Sequence, residues 1–320
     1  MEQARDIVSA EFKAVNELII AELHSNVPLV ENIGHYIIDA GGKRLRPLLV
    51  LLCAGIFGPI KKSHISQAAV IEFIHTATLL HDDVVDISAL RRGQPTANAT
   101  WGNAASVLVG DFLYTRAFQQ LVGLGDMQVM TLMANTTNSI AEGEVLQLTK
   151  AGDPSTSQAD YFNVINNKTA ILFAAACASA GILSDQDKTV VERLFQYGTE
   201  IGFAFQIVDD VLDYTGNIDE IGKTVGDDLA EGKPTLPLIY TMSHGNSEQA
   251  ELVRQAISNK DNSKLRDVIA AVNTSGAISY CQQIADEHVN SARALLGELP
   301  DTPSTQALDR IAKSSTARKF

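Results

Sequence analysis

The chain is poor in the features that divide or staple a fold. Only three of its 320 residues are cysteine, and Cys53, Cys177 and Cys281 are odd in number and far apart. No metal-ligand spacing joins them, so no disulfide framework is expected; they read as small buried hydrophobes of a reducing compartment. Nine prolines are scattered and no Ser/Gly/Pro-rich tract occurs, which leaves no linker between domains. Basic charge is scarce: 25 Lys and Arg stand against 38 Asp and Glu, a net charge of −13. General nucleic-acid binding needs a basic footprint and is excluded on that ground, whereas an anionic small ligand is not, because local charge decides it. Long apolar runs are missing as well. The most apolar stretches, 47–60 and 170–183, are shorter than the ~18 residues of a membrane span. The N-terminal MEQARDIVSAEFKAV is charged and amphipathic without a signal-peptide core. The expectation is a cytoplasmic chain with no integral membrane segment.

What is abundant is apolar mass, 45% of residues, at a period close to 3.6. Ile7, Phe12, Val15, Leu18 and Ile19 give one stripe; Ile71, Ile74, Thr78 and Val85 another; Val129, Leu132, Met133, Ile140 and Val145 a third; Ile201, Phe205, Val208 and Leu212 a fourth. Alanine is frequent in these segments and β-branched alternation is rare, so no strands are expected. Breaks fall at Gly41-Gly42, Gly58-Pro59, Arg92-Gly93-Gln94-Pro95, Gly152-Asp153-Pro154, residues 222–237 and residues 300–303. The polar segment 243–264 reads as a surface loop with a short helix. The spacing predicts an all-α chain of ten or more helices, residues 1–320 forming a single domain.

Two acidic clusters share one pattern. His81-Asp82-Asp83-Val84-Val85-Asp86 and Val208-Asp209-Asp210-Val211-Leu212-Asp213 each carry carboxylates at i, i+1 and i+4 inside an apolar helical stretch. Positions i and i+4 share a helix face one turn apart, so each cluster aims two carboxylates at one point. Crowded carboxylates in apolar surroundings are costly unless a cation joins them. Oxygen ligands with no participating His or Cys suit Mg²⁺, which keeps waters and shares its shell with phosphates. Cations supply the complement: Lys43, Arg44 and Arg46 follow Gly41-Gly42 at the start of a buried helix, Arg91 and Arg92 follow the first cluster, and Lys168, Lys223 and Lys233 are single sites. Arginine forks grip phosphate oxygens and lysine acts as a point charge. The pattern fits two diphosphate sites, one bound through metal and one bound directly by cations.

GGKRLRP, HDDVVD followed by RRG, Lys168-Thr169, FQIVDDVLD and GKTVGDDLAEGKPTLP, in this order and spacing, resemble the trans-isoprenyl diphosphate synthases. EFIHTATLLHDDVVD, NAASVLVGDFLYTRAFQ and IAEGEVLQL look most like the bacterial members that make an octaprenyl chain for quinone side chains. The resemblance implies a large helical bundle around a central cavity, usually a homodimer. It also implies a reaction, the condensation of isopentenyl diphosphate onto an allylic diphosphate such as farnesyl diphosphate, with up to three Mg²⁺ per site. Carried over residue by residue, Asp82, Asp86 and Asp209 resemble metal ligands, supported by Asp83, Asp210 and Asp213. Arg91, Lys168, Thr169, Gln206, Lys223 and Lys233 resemble the allylic-diphosphate side. Lys43, Arg46, His75 and Arg92 resemble the isopentenyl-diphosphate site. Asp82, Asp83, Asp86, Arg91, Lys168, Asp209, Asp210 and Lys223 would carry the chemistry, with Phe205 and Gln206 near developing positive charge.

Product length has its own expected determinants. Ala77 and Thr78 precede Asp82 by about one turn and are small where members of the family with short products have an aromatic floor. Met133 shares a helix face with Gln147 ~21 Å away at ~1.5 Å per residue and is a candidate lower floor. Three other readings compete. A cyclising terpene synthase would lack Lys43, Arg46 and Arg92; a non-catalytic subunit of a heteromeric synthase would tend to lose an acidic cluster; a synthase of the same family with a shorter or otherwise different product differs only at the floor. The C-terminal KSSTARKF does not match the arginine-ended tails of the family, which leaves Arg318 and Lys319 without an expected role.

Overall fold

A computed structural model describes residues 2–39, 41–215 and 226–316. Lys223, Arg318 and Lys319 lie outside the described residues. The described chain is mostly helical, beginning with α1 (Glu2–Asp6), α2 (Ser9–Glu22), α3 (Pro28–Asp39), α4 (Leu45–Gly55) and α5 (Lys62–Val85). A two-stranded hairpin follows, Leu90–Arg91 paired with Gln94–Pro95, and then α6 (Ala97–Trp101), α7 (Asn103–Leu124), α8 (Met127–Lys150) and α9 (Gln158–Ile165). A π-turn (Asn166–Ala170) joins α9 to α10 (Ile171–Leu183), and α11 (Lys188–Thr215) is the longest helix. After it come α12 (Asp227–Ala230), α13 (Leu236–His244), α14 (Ser247–Asn259), α15 (Leu265–Thr274), α16 (Ala277–Leu296) and α17 (Pro303–Thr316).

The two most apolar stretches of the sequence become core helices. α4 buries every residue from Pro47 to Ala54, and α10 buries Leu172 to Gly181 without a break. Alanine-rich α10 needs no polar face because its small side chains admit neighbours on all sides. Among the described residues no helix is long and apolar enough to cross a membrane. Cys53, Cys177 and Cys281 are buried thiols with no disulfide, as their spacing predicts.

Two expectations are corrected. The hairpin is real although no strand was expected: Arg92 and Gly93 have φ of 53° and 75°, which is the I′ turn that matches strand twist. Residues 247–259 form a full helix rather than loop and short helix. Asn246 and Gln249 close a capping box, and Ala250, Val253, Ala256 and Ile257 supply a buried stripe. The sequence of short polar side chains around it hid that stripe.

The chain divides into two compact units. The first comprises Met1–Thr137, Leu172–Gly198 and Ala294–Ile311; the second comprises Asn138–Ile171, Thr199–Arg293 and Ala312–Phe320. In the first, α5 packs chiefly on α7, with α4 and α2 also against it. In the second, Tyr161, Ile165, Ile207, Val208, Val211, Tyr214, Leu236 and Leu238 form one apolar cluster with Val253, Ala256 and Ile257 of α14, Val268 and Val272 of α15, and Ala277, Cys281 and Ala285 of α16.

Candidate active site

The first acidic cluster ends α5. Asp86 closes the helix, its N–H donating to the Asp82 carbonyl at 2.8 Å, and both carboxylates are half-buried. Asp83 points the other way and is fully buried. Arg91, turned back by the hairpin, meets it: Nε and Nη2 both approach Asp83 Oδ1, at 2.8 and 2.7 Å. The expected phosphate cation Arg91 therefore serves as counter-ion to a buried acid, and it fixes the end of α5. Asn98 Nδ2 donates to the Asp83 carbonyl at 3.1 Å and adds to that hold. His81 Nε2 lies 3.2 Å from the Val107 carbonyl and 3.3 Å from Asp111 Oδ1, which ties the same turn to α7.

One face of α5 and the start of α4 assemble the cations. Arg44 begins α4 in the left-handed region, φ 43°, and donates to Asn16 Oδ1 and to the Ile38 carbonyl. Arg46, one residue into the helix, stacks its guanidinium 4.1 Å from the Phe173 ring centroid and reaches His75 Nε2 at 3.3 Å. A guanidinium can only donate, so His75 accepts there and carries its proton on Nδ1. Burial, then Arg46, Arg92 and Arg91, push the His75 pKa well below 6.5 and keep the ring neutral. Burial lowers Arg46 to about 10, opposed by Glu72. Burial and the neighbouring Arg91 lower Arg92 in the same direction. Glu72, three residues before His75 and only 8% exposed, is raised by burial and held down by Arg44, Arg46 and Arg92. One carboxylate among three guanidiniums leaves local positive charge, as an anion site requires. Lys43 is exposed beside this group and its carbonyl accepts from Arg5. Sequence reasoning missed Glu72; an acid inside the apolar run of α5 was the available signal.

The second cluster ends α11. Asp209 is exposed and Asp210 is 4% exposed. Asp213 accepts the N–H groups of Gly226 at 3.1 Å and Asp228 at 3.2 Å. Burial and Asp228 together push Asp213 up to about 8 and raise Asp210 as well. Asp228 was not singled out from the sequence, although it sits within the quoted GDDLAEGKP.

The π-turn presents Lys168 and Thr169. Lys168 Nζ lies 2.7 Å from Glu144 Oε2 of α8, an ion pair that sequence spacing did not show. Thr169 Oγ1 donates to Gln206 Oε1 at 2.9 Å, Gln206 Nε2 donates to Asp210 Oδ1 at 2.8 Å, and Tyr161 donates to Asp210 Oδ2 at 2.6 Å. α11 comes close to the turn because position 202 is glycine: a Cβ there would stand 2.5 Å from Ala170 Cα. Lys233 Nζ pairs with Glu231, and its N–H donates to the Asp228 carbonyl at 2.8 Å. Phe205 is half-buried on α11.

The expected residues thus group by unit. Lys43, Arg46, His75, Ala77, Thr78, Asp82, Asp83, Asp86, Arg91, Arg92 and Met133 belong to the first, and Lys168, Thr169, Phe205, Gln206, Asp209, Asp210, Asp213 and Lys233 to the second. Ala77 and Met133 are fully buried and Thr78 half-buried. Among the described residues no three His, Cys, Asp or Glu side chains are arranged to hold a metal ion. The donors still fit a hard divalent cation. They are carboxylate oxygens, and in the second cluster Asp210 and Asp213 are raised by burial and by the nearby Asp228, a charge repulsion that a cation relieves.

Residues 27–274 match the family model for polyprenyl synthetase. The chain is 47% identical to octaprenyl diphosphate synthase of Escherichia coli strain K12, covering 99% of each. It is 45% identical to an all-trans-nonaprenyl-diphosphate synthase (geranyl-diphosphate specific) of Rhodobacter capsulatus, over 97% of this chain and 96% of that one. The crystal structure of polyprenyl synthase from Caulobacter crescentus CB15, complexed with calcium and isoprenyl diphosphate, superposes with a TM-score of 0.96 at 39% identity, covering 100% of this chain and 98% of that one. With the acid clusters, the cation group and the helical fold in agreement, the chain belongs to the polyprenyl synthetase family.

Proposed function

We propose that this prenyltransferase condenses isopentenyl diphosphate onto an allylic diphosphate, with farnesyl diphosphate as primer, and repeats the step to an all-trans octaprenyl diphosphate for quinone side chains. The observation that carries the reading is the Arg46–His75–Arg92 group, whose guanidiniums outnumber the single carboxylate Glu72. A cyclising terpene synthase has no use for a second diphosphate site built without metal. Lys43, Arg46, His75 and Arg92 would hold isopentenyl diphosphate. Neutral His75 orients Arg46, and the stacking of Arg46 on Phe173 fixes the plane of its fork.

Asp82, Asp86 and Asp209 would hold Mg²⁺, up to three ions per site, which when bound neutralises the allylic diphosphate as it leaves. The calcium and isoprenyl diphosphate bound by the Caulobacter relative support that assignment. Asp83 and Asp210 fix the helix ends that carry these ligands, through Arg91 and through Tyr161 and Gln206. Lys168, Thr169, Lys233 and Lys223, the last outside the described residues, complete the allylic-diphosphate side in this reading. The chain would act in the cytoplasm as a homodimer. Leu108 at 65%, Val122 at 68% and Met127 at 72% exposure supply an apolar surface for a second copy.

A second product length is favoured by one finding: relatives at 47% and 45% identity carry octaprenyl and nonaprenyl names, so overall identity does not separate the two. Incubation of the pure chain with labelled isopentenyl diphosphate, Mg²⁺ and either geranyl or farnesyl diphosphate, with products sized by chromatography, tests the reading. Octaprenyl product from farnesyl diphosphate supports it. A different length corrects the product alone, and no incorporation refutes the reaction.

A further inference from the structure

Four polar side chains of the second unit form a directed chain through an apolar core. Tyr161 and Asp210 are each 4% exposed and Thr169 is 9% exposed, with Ile165, Ile207 and Val211 in the same buried cluster. The bonds run in one order. The Thr169 hydroxyl donates to Gln206 Oε1, and Gln206 Nε2 donates to Asp210 Oδ1. Tyr161 satisfies the second oxygen of Asp210 at 2.6 Å and so holds the carboxylate in the plane that Gln206 needs. Low local polarity strengthens such a chain and makes a missing member costly. The local backbone is built to keep it: Gly202 lets α11 touch Ala170, and Gln206 follows one turn later on the same face, opposite Thr169.

We propose that Tyr161 is a positioning residue for the condensation, acting through Asp210 to fix the orientation of the Gln206 amide and the Thr169 hydroxyl beside Lys168. The inference rests on the functional reading above. It separates the two substrates, because Tyr161, Asp210, Gln206 and Thr169 belong to the allylic side and none to the Arg46–His75–Arg92 group. Tyr161→Phe removes one oxygen and keeps the ring. Steady-state kinetics of the full-length protein should show kcat/KM for the allylic diphosphate falling about tenfold, with KM for isopentenyl diphosphate changed less than twofold. Thr169→Val removes the donor at the far end of the chain. The double variant Tyr161→Phe/Thr169→Val should be no worse than the poorer single variant, because each breaks the same relay. Losses that multiply, or a Tyr161→Phe protein with lowered melting temperature and unchanged allylic kcat/KM, overturn the proposal. Should Tyr161→Phe not fold, the same coupling is read between Thr169→Val and Gln206→Met, and multiplying losses overturn it equally. Wild-type protein that fails to condense at all would refute the functional reading and is distinguished by that control.

Discussion

His75 shows how far a single side chain departs from its solution behaviour here. Burial and three arginines hold its pKa well below 6.5. Below about pH 6.5 the unfolded chain binds a proton at this position that the folded chain refuses. The stability from a neutral His75 is therefore fully present above that pH and is lost as pH falls toward the folded value. Replacement by glutamine removes this contribution, so the melting temperature of His75→Gln should fall less between pH 7 and pH 5 than that of wild type. Parallel melting curves, with equal falls in both proteins, would contradict it. Arg91 makes a complementary case. Because Asp83 is fully buried and Arg91 is its cation, Arg91→Ala leaves an uncompensated buried charge and should cost about 3 kcal/mol in urea unfolding. A loss below about 1 kcal/mol would show the pair to be incidental. These residues also mark what a sequence can disclose. His75, Asp82 and Asp86 stand out by type and register, because residues four and seven apart lie on one helix face, and Arg46 stands out by its place after Gly41-Gly42 at the start of a buried helix. Glu72, Glu144, Asp228 and Tyr161 act through partners distant in the chain, and no local period encodes such pairs.

Among elements, the π-turn and the hairpin do the most for the site, and neither follows from apolar periodicity. Both depend on one-residue changes of backbone path that leave the hydrophobic pattern intact. The hairpin turns Arg91 inward and places Arg92 at its tip; the π-turn sets Lys168 against Glu144 and Thr169 against Gln206. π-turns inside helices often accompany function for this reason. The turn tolerates nothing larger than glycine at 202, where a Cβ would meet Ala170 Cα at 2.5 Å and its Cβ at 2.8 Å. Gly202→Ala should force α11 away, lower stability by about 1–3 kcal/mol and weaken the allylic kcat/KM more than KM for isopentenyl diphosphate. Unchanged melting together with unchanged kinetics would show that α11 yields freely. The long helices α5, α8 and α11, by contrast, were readable, since their apolar residues recur at a 3.6-residue period.

For the whole molecule, the chain passes between its two units at residues 137/138, 171/172, 198/199, 293/294 and 311/312, so no single cut frees either one. That weave supports the proposal that residues 1–320 act as one domain, which the sequence suggested by the lack of any linker. Product length is also a property of the whole molecule. Ala77 is fully buried one turn before Asp82, and Ala77→Tyr should shorten the product while condensation persists. Labelled products of unchanged length from a folded variant would contradict the floor assignment. The net charge of −13 now has a local meaning: six carboxylates form the two clusters, while Lys43, Arg44, Arg46, Arg91 and Arg92 gather in the first unit.

The central claim is that the protein has two diphosphate sites of different construction, one metal-dependent and one formed by cations alone. Isothermal titration calorimetry of each substrate with Mg²⁺ and with a chelator tests it most directly. The account predicts that isopentenyl diphosphate binds with affinity unchanged by the chelator, that Arg46→Met abolishes this binding, and that an unreactive allylic diphosphate analogue binds only when Mg²⁺ is present. Isopentenyl diphosphate binding that requires Mg²⁺, or allylic binding that survives the chelator, would contradict it.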